Sequence, residues 1–276
     1  MPNSELYTEV CSNNVEGVNH LLTTKGNETI EERGSLYVGA HDRETPLQLA
    51  VRCDYEEIVK MLAVYNANVN IRNSYGGTLL HIATRNYLQG IVLVLIQAGI
   101  DVNVTDMVGD NALHECIRDQ MDHIHGRVGI ASILIENGID FNAINARGET
   151  CLHLAVDGGD VDMVELLIAH GVDTTPVDSD GSTAEGVAHA LENIFTEAFE
   201  IDPREGYNVL IHAHREMAEL LRLERVRVEK HVEKERLHAI AMAFAGKHVN
   251  DPNQHRLLPE DKELMRLVME YLHFQE

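Results

Sequence analysis

Apolar residues in this chain come in short bursts set apart by glycines and polar turns. In the stretch GETCLHLAVDGGDVDMVELLIAHGVD, residues 148–173, they form two groups. Leu152, Leu154 and Ala155 share one side of a helix starting near Thr150, and Val164, Leu167 and Ile168 share one side of a helix over 161–170. Gly148 stands before the first helix, Gly158-Gly159 between the two, and Gly171 after the second. Helices this short cannot bury their apolar sides alone, so the pattern demands copies of itself on either side.

The copies are present. Aligned on the residue before the apolar pair, they start at Thr45 (TPLQLA), Thr78 (TLLHIA), Asn111 (NALHEC), Thr150 (TCLHLA) and Thr183 (TAEGVA), at steps of 33, 33, 39 and 33 residues. Thr or Asn at that position predicts a helix cap. Gly76, Gly109, Gly148 and Gly181 stand two residues earlier, where a tight turn needs positive φ. Units close on NVN, DVN and DFN at Asn70, Asn103 and Asn142. Residues 5–24 read as a degenerate first copy, with Leu6, Val10, Val18, Leu21 and Leu22 at core positions and Thr8 and Glu9 facing water. The unit from Asn111 carries six additional residues within 119–129, read as a solvated loop lengthening its first helix.

This period, with a T-x-L-H start and a G-x-D-x-N end, resembles the ankyrin-repeat family over roughly residues 6–190. The resemblance implies an all-α solenoid of helix-turn-helix units with β-hairpin tips, filling residues 1–200, followed by a C-terminal helical region over 201–276. The unit from Thr183 lacks the Leu-His pair, and its second helix is displaced by the stretch 195–203. Beyond it, residues 206–244 contain no proline and read as one long helix or two, docked on the last unit as a cap. A break over 246–259 precedes a final helix from Pro259 to Leu272. The run 237–272 is similar to the tail of some ankyrin-containing proteins. The run 257–272 is similar to the opening of an F-box, but its spacing is longer and no second F-box helix fits before Glu276.

Composition narrows the chemistry. A net charge of −23 over 276 residues argues against binding nucleic-acid phosphates or anionic membranes, and favours solubility and basic partners. The four cysteines, Cys11, Cys53, Cys116 and Cys151, show no CxxC spacing and read as reduced thiols in a reducing, cytoplasmic setting. No signal-peptide core opens the chain, and its longest apolar run, 91–96, is too short for a bilayer.

No nucleophile elbow, phosphate loop or HExxH motif occurs, so the chain reads as non-enzymatic, without cofactor or metal. His81, His114 and His153 share a repeat position, but neighbouring units stand about 10 Å apart, too far to share one metal. The resemblance implies that they are structural. His123 and His125, with Asp119 and Asp122, form a weak metal motif on the inserted stretch.

The resemblance further implies a monomeric module that binds a partner protein on a concave surface of hairpin tips and first helices. The period places tips at His41-Asp42, Ser74-Tyr75, Met107-Val108, Ala146-Arg147 and Ser179-Asp180. It places Arg52, Arg85 and Arg118 at one exposed helix position, a ladder suited to an acidic or extended peptide. Nearby Asp54, Glu115 and Asp119 are alternative partners for those arginines. Tyr75, Met107, Val108 and Arg147 complete the candidate surface. Asn103, in its DVN context eight residues after Leu95, resembles the sites of the asparaginyl hydroxylase that modifies ankyrin repeats. Two other roles follow from the tail: a ubiquitin-ligase adaptor, such as a pathogen effector or host-range protein, or an enzyme with a cryptic C-terminal site.

Overall fold

The computed structural model describes residues 5–25, 30–31, 44–118, 124–201 and 205–249. Its helices come in pairs. The first five are α1 (Glu5–Cys11) with α2 (Val15–Lys25), α3 (Pro46–Arg52) with α4 (Glu56–Val64), α5 (Leu79–Arg85) with α6 (Gln89–Gln97), α7 (Ala112–Arg118) with α8 (Ile124–Glu136), and α9 (Cys151–Asp157) with α10 (Val161–Ala169). The series ends with α11 (Ala184–Ile201) and α12 (Glu205–Val249). The odd-numbered helices α1 to α11 pack side by side as one row, and α2 to α10 as a second row behind it. The core lies between the rows: Leu80, Val92, Leu95, Leu113, Ile130, Leu134, Leu152 and Leu167 are sealed from solvent. Each such side chain contributes about 1.5–3 kcal/mol of burial.

The first helices start where the sequence places their caps. Thr45 Oγ1 accepts from the Gln48 amide at 3.3 Å, and Gln48 Oε1 accepts from the Thr45 amide at 3.0 Å, a reciprocal capping box. In later units histidine does the work of Gln48. His81 Nδ1 accepts from the Thr78 amide at 3.1 Å, and His153 Nδ1 from the Thr150 amide at 3.3 Å. The far nitrogen then reaches the next unit: His81 Nε2 donates to the Asp110 carbonyl at 3.0 Å and His153 Nε2 to the Ser182 carbonyl at 3.1 Å.

The tips are turns built by Asn73, Asp106, Asn145 and Asp178 at one repeat position. Asn73 Oδ1 accepts from the amides of Tyr75 (2.9 Å) and Gly77 (3.0 Å), and Asp106 Oδ1 from those of Val108 (2.9 Å) and Asp110 (3.0 Å). Gly109 follows at φ +81°, and a Cβ there would stand 3.0 Å from the Ala146 nitrogen. The β-hairpins expected here are reduced to isolated antiparallel bridges, Arg72 with Thr78 and Val177 with Thr183. The turn side chains take amides that a second ladder rung would have used. Successive tips bond to each other: Met107 N donates to Tyr75 O (3.0 Å), Ala146 N to Val108 O (2.9 Å) and Ser179 N to Arg147 O (2.8 Å).

Asn70, Asn103 and Asn142 tie their units to the next one. Their Oδ1 atoms accept from Asp101, Asp140 and Asp173 amides in the following unit, at 3.0, 2.7 and 2.9 Å. The Asn103 amide also donates to the Gly138 carbonyl at 3.0 Å.

The first-helix lengthening expected of the six extra residues falls on 119–123, outside the described residues; α8 runs to thirteen residues where α6 and α10 have nine. The extension carries Arg127 inward to Asp160, the cap of α10, at 3.4 Å, with both side chains more than nine-tenths buried. In the last unit the stretch 195–201 is not a break ahead of a displaced second helix, because α11 continues helical through the position of the usual inter-helix turn to Ile201. The break expected from Gly246 begins no earlier than Val249, because α12 continues helical across Gly246. His41-Asp42, Asp119, Asp122 and His123, the His125 side chain, the helix expected over 259–272 and the F-box-like run lie outside the described residues.

The chain divides into two compact units, Met1–Ala218 and Glu219–Glu276. In the first, α1 and α2 bury Leu6, Tyr7, Val10, Val18 and Leu22 while Thr8 faces water, as expected of an end unit. The beginning of α12 covers the other end. Arg215 Nε donates to Glu192 Oε1 at 2.7 Å, the His214 and Phe195 rings lie 5.2 Å apart, and Met217 and Ala218 are buried. In the second unit, the described part of α12 carries the ion pairs Arg222–Glu219 and Arg227–Glu224 along its surface.

Candidate functional site

A cleft of about 840 Å³ opens at the middle of the tip row. The tips supply Tyr75, Met107, Val108, Ala146 and Arg147, and helices α5 and α7 supply Arg85, Glu115 and Arg118. Asp106, Asp110 and Asn145 form its floor. Six of the residues singled out from the period therefore line one surface: Tyr75, Arg85, Met107, Val108, Arg118 and Arg147. Arg52 is not among the lining residues. The apolar tips stand in solvent, with Tyr75 and Met107 each 74% exposed and Val108 54%.

The arginines are not bare cations. Arg52 holds Glu44, with Nε at 3.1 Å and Nη2 at 3.1 Å. Arg118 holds Asp110 from Nε at 3.1 Å and Nη2 at 2.7 Å, and Glu149 lies 3.7 Å away. In both cases the acid stands eight residues before the arginine, where the turn meets the helix. At that distance from Arg85 stands Gly77, and Arg85 instead reaches the Glu115 carboxylate in the next unit, Nε to Oε2 at 2.9 Å, with Nη2 on Oε1. Arg147 holds Glu149 at 2.9 Å. Of the acids the sequence offers, Glu115 is a partner, and Asp54 gives way to Glu44. Sequence reasoning missed Glu44, Asp110 and Glu149; the recurrence of an acid immediately before the helix cap was the signal.

Among the described residues, one group of carboxylates comes close enough to consider a metal: Asp106, Asp110 and Glu115, with oxygens within 4.8 Å of one another. Two of the three are occupied, Asp110 by Arg118 and Asn145 and Glu115 by Arg85. A cation would have to displace guanidinium groups already in bidentate contact.

The other titratable groups of the array are structural. Burial holds His81 and His114 below the usual histidine range. The Asp110 carbonyl opposes this at His81, as the Asp110 carboxylate does at His114. Burial pushes the Cys116 thiol up to about 12 and Cys151 well above the ordinary value, so neither supplies a thiolate nucleophile at neutral pH. Among the described residues no helix is long and apolar enough to cross a membrane.

Comparison with known proteins bears on the same units. Residues 6–106 match a family model described as ankyrin repeats (3 copies), and residues 121–168 match one described as ankyrin repeats (many copies). Together they take in more than half of the chain. The BTB/POZ domain and ankyrin repeat-containing protein NPR1 of Malus hupehensis is 33% identical over 113 residues, which is 41% of this chain and 17% of that protein.

Proposed function

Since this chain belongs to the ankyrin-repeat family, whose arrays serve protein–protein interaction, we propose that it is a non-enzymatic binding module whose partner seats in the central cleft. One observation carries the reading: Tyr75, Met107 and Val108, exposed on two bonded tips, stand over a cleft ringed by Arg85, Arg118 and Arg147. An apolar centre inside a polar rim is the anatomy of a protein interface. The surface needs no rearrangement to receive a partner, because the tip-to-tip bonds and the cap network already fix it.

The test is affinity capture with the full chain and with Met107→Asp, compared quantitatively. Partners that depend on the cleft should be retained by the native protein and lost from the variant. Equal recovery of every captured protein by both would place the binding surface elsewhere.

A further inference from the structure

The charge balance of the cleft identifies what kind of segment it takes. Each of its three guanidiniums holds a carboxylate: Arg85 that of Glu115, Arg118 that of Asp110 with Glu149 at 3.7 Å, and Arg147 that of Glu149. Asp106 is left over. Its Oδ1 accepts the Val108 and Asp110 amides, and it makes no ion pair among the described residues. The turn does not need that charge. Asn73 and Asn145 hold the same position in the units on either side and make the same pair of amide contacts through a neutral side chain. Asp106 is therefore the one lining carboxylate with no guanidinium on it among the described residues, in a cleft that also carries the exposed Tyr75 and Met107 side chains.

We propose that the cleft accepts an extended segment of a partner protein through a lysine or arginine. The stem of that residue lies along Tyr75 and Met107, its head meets Asp106, and a neighbouring apolar residue covers Val108. This rests on the cleft being the partner site and assigns its chemistry. Three features agree. Flat apolar and aromatic surface suits the methylene stem of a basic residue. The one charged side chain of the lining without an ion pair among the described residues is an anion, Asp106. The net charge of −23 draws a basic segment toward the molecule and repels an acidic one. An acidic peptide would compete for guanidiniums already engaged, Arg85 on both oxygens of the buried Glu115 and Arg118 through two nitrogens on Oδ2 of the buried Asp110.

The experiment uses the full chain and extended synthetic peptides with degenerate flanks. Their central position is fixed as Lys, Arg, Asp, Glu or Leu. The native protein should enrich the Lys and Arg sets with an apolar neighbour, and enrichment should fall as salt rises. Asp106→Asn, which keeps the turn contact and should melt with the native protein, should weaken the best basic peptide about tenfold. Met107→Asp should abolish selection of the apolar neighbour. Enrichment of Asp or Glu peptides that Met107→Asp abolishes would overturn the charge assignment and leave the cleft as the site. Peptide binding indifferent to Met107→Asp would overturn both. Loss of basic-peptide binding in a chelator would also overturn the proposal, because it would mean a metal bridges the carboxylates.

Discussion

His81 closes the start of its own helix with one ring nitrogen and joins the next unit with the other. Burial keeps its ring and that of His114 neutral in the folded chain. The unfolded chain takes up protons near the ordinary value of 6.5, so stability is complete above that pH and falls as pH drops below it toward the depressed native values. The urea midpoint at pH 5 should lie below that at pH 7.5. His81→Gln, which puts the Gln48 solution into this unit, should shrink the difference; an unchanged pH profile would refute the assignment. Leu152→Ala should cost about 2–5 kcal/mol by equilibrium unfolding. Asn103→Ala, severing two bonds to the next unit, should cost about 1–2 kcal/mol. The caps, turn glycines and core leucines were legible because each is fixed by neighbours within one unit. The direction of Asn103 was not, since its partners lie 35 and 37 residues away.

Among the elements, the seven-residue helices α3, α5 and α9 repeat faithfully because Thr starts each one and a fixed turn ends it. The departures are α8 and α11. The sequence shows that residues are added after Arg118 but not which helix absorbs them. That depends on Arg127 finding Asp160 in a buried pair between α8 and α10. Asp160→Ala removes the cap of α10 together with the anion facing Arg127, and should cost about 3–5 kcal/mol. A loss below 1 kcal/mol in chemical denaturation would show that Arg127 relaxes to water. The start of α12 matters in the same way. A chain ending at residue 205 loses Met217 and the His214–Phe195 contact, and should aggregate on light scattering. A soluble fragment with an unchanged melting curve would show that α11 closes the array unaided.

At the scale of the whole molecule, the candidate surface was legible as a set of positions and not as a balance of charge. The period alone brings Tyr75, Met107 and Arg147 onto one row. It does not disclose that Arg85 turns forward to Glu115 because Gly77 stands where Arg52 and Arg118 find an acid. With a net charge of −23, mutual repulsion works against the compact chain. The melting temperature should therefore rise as sodium chloride is added to low-salt buffer, and a fall would give the surface ion pairs the larger share.

The joints between neighbouring units draw on the same few parts: an imidazole on the next carbonyl from His81 and His153, an asparagine on the next amide from Asn70, Asn103 and Asn142, and a tip amide on the previous carbonyl. The unit from Thr78 carries both halves of such a joint, with Asn103 reaching forward and the Asp101 amide meeting Asn70 behind. In terms of inheritance, the heritable word here is a block of 33 codons, the step that separates Thr45, Thr78 and Asn111. A duplication or loss of one whole block arrives with its adhesive in register. A block of any other length falls out of register, and the back row carries such a departure in α8, thirteen residues where α6 and α10 have nine.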